Sequence, residues 1–72
     1  MIVITVQSAP LSTVAYDAAQ EILRIEFRDH SIYQYFGVPP SVYEALLQAP
    51  SKGGYFNRAI RDCYPYARSS LS

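Results

Sequence analysis

Ile22-Leu23-Arg24-Ile25-Glu26-Phe27-Arg28-Asp29-His30-Ser31-Ile32-Tyr33-Gln34-Tyr35-Phe36 reads as two strands joined by a turn, and the register of that hairpin sets which side chains reach the core. In the first strand Leu23, Ile25 and Phe27 share one face while Arg24, Glu26 and Arg28 share the other, the period-two pattern of a half-buried strand. The return strand from Ile32 to Phe36 carries aromatic and β-branched residues that suit a pleated surface. With an even loop Tyr33 faces Glu26 and Tyr35 faces Arg24, a stacking platform on the wet side. With a three-residue loop Ile25 pairs with Tyr33 and Leu23 with Tyr35, and both rings join the core. A slip of one residue inverts every side chain, so turn chemistry arbitrates. The even turn demands positive φ at both Asp29 and His30, the odd one only at His30, and the odd loop also keeps the Gln34 amide out of the apolar interior. The odd register, with Tyr33 and Tyr35 in the core, is favoured.

Upstream of the hairpin, Ile2, Ile4 and Val6 alternate as a short strand that Ser8-Ala9-Pro10 interrupts, and Thr13 to Tyr16 forms another ending at the polar break Asp17-Ala18-Ala19-Gln20. Downstream the period changes. Pro39-Pro40 fixes a helix start, Ser41 and Glu44 have the spacing of a capping box, and Val42, Ala45, Leu46 and Ala49 make an apolar stripe. A second helix follows Ser51-Lys52-Gly53-Gly54, with Phe56, Ala59, Ile60 and Cys63 on one face and Asn57, Arg58, Arg61 and Asp62 turned away, until Pro65 stops it. The expected architecture is α+β: a small antiparallel β-meander of three to four strands followed by two short helices packed on one face.

Seventy-two residues leave room for a single domain spanning residues 1–72, and such a small chain buries only about 60% of its unfolded surface. Half the residues are apolar, which excludes a disordered chain; Met1 and Leu71-Ser72 are expected to fray. One cysteine excludes a disulfide framework and a cysteine-based zinc site, and Cys63 is expected to be a buried, inert thiol. No apolar run reaches membrane-spanning length and no secretory leader is visible, so the expected setting is cytoplasmic with no membrane partner.

Catalytic chemistry has little to work with. His30 and Cys63 are far apart in sequence with no oxyanion site suggested nearby, and Asp17, Glu21, Glu26 and Asp29 read as solvated charges without metal-ligand spacing. A non-enzymatic module without cofactors is expected. Charge is more informative: residues 1–50 hold two bases against five acids, a balance of −3, and residues 51–72 hold four bases against Asp62, a balance of +3. Lys52, Arg58, Arg61 and Arg68, interleaved with Tyr55, Tyr64 and Tyr66, combine cations for phosphates with flat rings for bases, the mixed character of a nucleic-acid surface; a solvated helix face is the competing explanation. Ser51, Gly53 and Gly54 at a helix start resemble an anion nest, and a helix cap with glycine turn residues explains them as well.

The combination of Tyr16-Asp17, Leu23-Arg24-Ile25-Glu26-Phe27, Tyr33 and Tyr35, Val38-Pro39, Ala49 with Ser51-Lys52-Gly53, Phe56-Asn57 and Ile60 resembles the KTSC domain, over a core of about residues 8–64. His30 stands where that family usually turns on glycine, and Pro50 separates the alanine from the serine. The resemblance implies a module found at the C-terminal end of some lysyl-tRNA synthetases and as a small stand-alone bacterial or phage protein of unknown function. Attachment to a synthetase suggests RNA or tRNA as partner. Tyr33, Tyr35, Phe56 and Asn57 are then core or family-motif positions. The alternative is a protein-interaction module using Ile32, Phe36 and the Ile2-Ile4-Val6 edge.

Overall fold

The computed structural model describes residues 2–6 and 10–69. Five antiparallel strands, β1 (Ile2–Thr5), β2 (Leu11–Asp17), β3 (Ile22–Phe27), β4 (Ile32–Phe36) and β5 (Tyr66–Ser69), lie in the sheet in chain order. Two helices, α1 (Pro40–Gln48) and α2 (Lys52–Ala59), separate β4 from β5 and cover one face. The architecture is α+β with helices on one side of a meander. It has a fifth strand beyond the three to four expected, because Tyr66-Ala67-Arg68-Ser69 pairs back onto β4 after Pro65. The Ser8-Ala9 break and the chain ends Met1, Leu71 and Ser72 lie outside the described residues.

The central hairpin adopts the odd register: Leu23 pairs with Tyr35 and Ile25 with Tyr33. Its turn is built as its residues require. His30 takes φ 72°, and the Phe27 amide donates to the Ser31 carbonyl at 2.9 Å. The Asp29 carboxylate accepts from the Ser31 amide at 3.0 Å and from its hydroxyl, which holds that carboxyl below its usual range. The turn before β3 uses the same device, with the Asp17 carboxylate accepting from the Ala19 amide at 3.0 Å. A bulge between Leu11 and Thr13 lets Leu11 and Val14, three apart, both point inward.

Leu11, Val14, Leu23 and Ile25 from the sheet meet Val38, Leu46 and Ile60 with no exposure. Phe56 and Tyr35, each 3% exposed, close the core at the β4 side. At the opposite side Tyr16 stacks on Tyr43, centroids 4.7 Å apart, and donates its hydroxyl to the Val38 carbonyl, tying β2 to the chain entering α1. Gly37, at φ +74°, makes the turn out of β4 that puts Val38 there.

Two expectations about the helices are corrected. Ser41 and Glu44 form no capping box: α1 already begins at Pro40, and extended Pro39 is its N-cap with no side-chain hydrogen bond. Pro40 carries no N–H to satisfy and Ser41 is already inside the first turn, so the prolines alone set the start. Cys63 is exposed, not buried. The α-helix ends at Ala59, Ile60 leaves helical geometry at φ −121°, and the following turn rotates Cys63 off the Phe56–Ile60 face. We expect a thiol reagent such as dithionitrobenzoate to label the folded protein as fast as it labels the protein in denaturant; protection on folding would contradict the exposed position.

Candidate functional site

An open cleft of about 610 Å3 lies between the β3–β4 hairpin, β5 and the C-terminal end of α2, a volume in the range of ligand sites. Its floor follows from the sheet register. Tyr33 and Tyr35 are next-but-one neighbours on β4, and β5 sets Arg68 opposite Tyr33 and Tyr66 opposite Tyr35. The Tyr66 centroid lies 5.5 Å from both Tyr33 and Tyr35. Phe56 on α2 meets Tyr35 edge-on at 5.4 Å, and Phe27 meets Tyr33 at 5.4 Å and Phe56 at 5.5 Å. The result is a continuous aromatic bed, anchored in the core at Tyr35 and Phe56 and open at Tyr66, which is 57% exposed.

Polar groups form the walls. Asn57, Arg61 and Asp62 line the cleft from α2 and the turn after it, and Arg28, Asp29 and Ser31 from the hairpin. The Arg61 guanidinium stands 3.5 Å from the Asn57 side-chain oxygen. The Arg68 guanidinium lies over the Tyr33 ring at 5.8 Å, and that of Arg58 over Tyr55 at 6.0 Å.

Burial raises the Tyr35 hydroxyl from the ordinary 10.0 to about 12; Tyr33 and Tyr66 add to the shift and Arg61 opposes it. A raised phenol favours the fold while neutral, so its contribution is complete below pH 10.0 and is lost as pH climbs towards about 12. Burial also raises Tyr16 and Tyr43. The urea midpoint is therefore expected to fall across that alkaline window, and Tyr35→Phe to fall less steeply; an identical decline in both proteins would show that Tyr35 ionises freely.

The residues expected from the sequence are divided by the structure. Tyr33, Tyr35, Phe56, Asn57 and Arg61 line the cleft, and Arg68 stands over its Tyr33 wall. Lys52 lies at the other end of α2, its ammonium donating to the Ala49 carbonyl at 3.2 Å. Tyr55 and Tyr64 are partly buried against the core away from the cleft lining. Ser51, Gly53 and Gly54 form a helix cap: the Gly54 amide donates to the Ser51 hydroxyl at 3.2 Å, Gly53 is buried, and neither glycine has positive φ. An anion nest needs converging free amides, and here the cap uses one of them. Arg28, Asp29, Asp62 and Tyr66 join the cleft without having been singled out together. Their signal, a β5 strand pairing with β4, is weak in a segment with no apolar alternation.

The edge and face residues also separate. Ile32 and Val6 are 6% and 5% exposed and so largely withdrawn from any contact surface, whereas Val3 on the outer strand β1 is 60% exposed. No described helix is long and apolar enough to cross a membrane.

Fold and cleft together define a class: a small α+β domain whose meander carries a helix pair on one face and an aromatic recess at one end. The chain belongs to the KTSC domain family, whose model matches residues 7–64. An uncharacterised protein of Stutzerimonas stutzeri is 41% identical over 58 residues, covering 81% of this chain and 82% of that protein. A lysine–tRNA ligase of Nostoc punctiforme is 39% identical over 64 residues, 89% of this chain but only 11% of the ligase. The crystal structure of a KTSC domain protein from Yersinia pestis superposes with a TM-score of 0.92 at 29% identity, covering 96% of this chain and 97% of the other.

Proposed function

We propose that this domain is a non-enzymatic RNA-binding module, taking unpaired bases on Tyr66 and Tyr33 beside buried Tyr35 and phosphates at Arg61 and Arg68, with Arg58 further along α2. The observation that carries the reading is the juxtaposition of exposed Tyr66 with two guanidiniums, that of Arg61 lining the cleft from the turn after α2 and that of Arg68 over the Tyr33 ring from β5. Stacking on aromatic rings and cation contacts to the backbone are how single strands are held without a groove to read. The likeness to a segment of a lysine–tRNA ligase supports an RNA partner, tRNA included. A cytoplasmic setting accords with such a partner.

The test is fluorescence anisotropy with a short single-stranded RNA. Affinity is expected to fall with salt, with a logarithmic slope of about −0.7 for each phosphate neutralised. Arg61→Glu combined with Arg68→Glu should abolish binding at low salt while leaving the thermal midpoint in place, since both side chains are exposed. Lys52→Glu, remote from the cleft, should weaken it little. A folded double variant that binds like the parent would overturn the proposal.

A second reading has one observation behind it. Val3 is exposed on β1, an outer strand, beside a shallow hollow bordered by Thr13, Ala15, Arg24 and Glu26, and a partner protein can add a strand at such an edge. Co-purification of a protein that survives nuclease treatment and is lost in Val3→Lys would favour it.

A further inference from the structure

We propose that the cleft selects guanine among the bases it accepts, an inference that rests on the RNA reading above and adds a specificity to it. An aromatic bed alone tolerates any base, because every base has a π-face. Selectivity has to come from the walls, where Asp62 and Arg61 stand together in the turn after α2 and Arg28 and Asp29 belong to the hairpin. Asp62 lines the cleft, is exposed, and has no hydrogen bond or ion pair among the described residues. Asp29, the other wall carboxylate, has an oxygen committed to the Ser31 amide and hydroxyl. Arg61, next to Asp62 in the chain, has one N–H directed at Asn57 Oδ1 and the rest of its fork unspent there.

Guanine matches that wall. It is the base that offers two adjacent donors, N1–H and the N2 amine, to a carboxylate, and its O6 and N7 accept from an arginine fork. Adenine would place the N1 lone pair against the carboxylate, cytosine would place N3, and uracil would present a single N–H between two carbonyls. Each loses at least one bond and sets an acceptor against an acceptor. Asp62 and Arg61 line the same recess as Tyr33 and Tyr66, so a base seated on those rings would present its edge to them.

The experiment compares, at low salt, a uridine oligonucleotide with a single central guanine, the same strand with a central adenine, and the all-uridine strand. The guanine strand is expected to bind on the order of tenfold tighter than the adenine strand. Asp62→Asn turns amide protons toward guanine's donors, so it should erase the difference between the guanine and adenine strands, while the loss of one negative charge shifts the affinity for all three strands alike. Asp62 is exposed, and an unchanged thermal midpoint confirms that the variant folds. Equal affinity for all three strands overturns the guanine assignment and leaves RNA binding standing; binding of none overturns both. Guanosine monophosphate separates the two sources of the base: weaker capture than the strand makes the ligand a base within RNA, and equal capture makes it the free nucleotide, with guanine selection upheld in either case.

Discussion

Tyr35→Ala is expected to destabilise the domain by about 3–5 kcal/mol, the range for removing a large buried ring. Tyr35 is 3% exposed, pairs with Leu23 on β3 and Tyr66 on β5, and meets Phe56 edge-on. Deleting it empties the space between the sheet and α2, and the neighbours that could collapse into it are themselves fixed by ladder or helix. In a domain of this size so large a loss leaves little net stability, so chemical denaturation should show a mostly unfolded protein at room temperature. Tyr35→Phe retains the ring and should cost far less. A well-folded Tyr35→Ala protein with an unchanged denaturation midpoint would mean that the hairpin register differs from the one described.

Phe56→Ala should be nearly as damaging, again about 3–5 kcal/mol. Phe56 is the α2 side chain that touches both Phe27 and Tyr35, at centroid separations of 5.5 and 5.4 Å, and so fastens the helix over the hairpin. Because Tyr35 and Phe56 touch, their losses overlap. The double variant is expected to fall short of the summed single effects by about 0.5–1.5 kcal/mol, the coupling of an aromatic pair. Strict additivity in a denaturation cycle would show that the two rings sense separate environments. The cycle needs a stabilising osmolyte or a lowered temperature so that each variant keeps a folded baseline.

The parts of the molecule that were legible beforehand are those governed by local rules. His30 tolerates positive φ and Gln34 resists burial, so the hairpin register followed from turn chemistry and the cost of burying an amide. Ser51 announced α2 because a hydroxyl at that position can accept the Gly54 amide. What was illegible depends on pairing or on where a helix stops. Tyr66-Ala67-Arg68-Ser69 is exposed along its whole length and has no apolar alternation; β4 makes it a strand. Cys63 fits a helical face by spacing, yet the helix ends before reaching it. The cleft inherits both limits: Asp62 and Arg61 reach it because α2 has ended, and Tyr66 reaches it because β5 exists.

The succession β1-β2-β3-β4 consists of strands adjacent in the chain, whereas β4 and β5 are joined only across residues 37–65. Hairpins between neighbours close in microseconds, but a long-range pairing bears a larger loop entropy before any contact rewards it. The expected order of assembly therefore has the first four strands zipping early and the final strand docking after the helices have condensed. The aromatic cleft is the last part to exist. In a pulsed hydrogen-exchange experiment the amides of β5 would gain protection after those of β2 and β3, and a nascent chain would hold a core before it had its cleft.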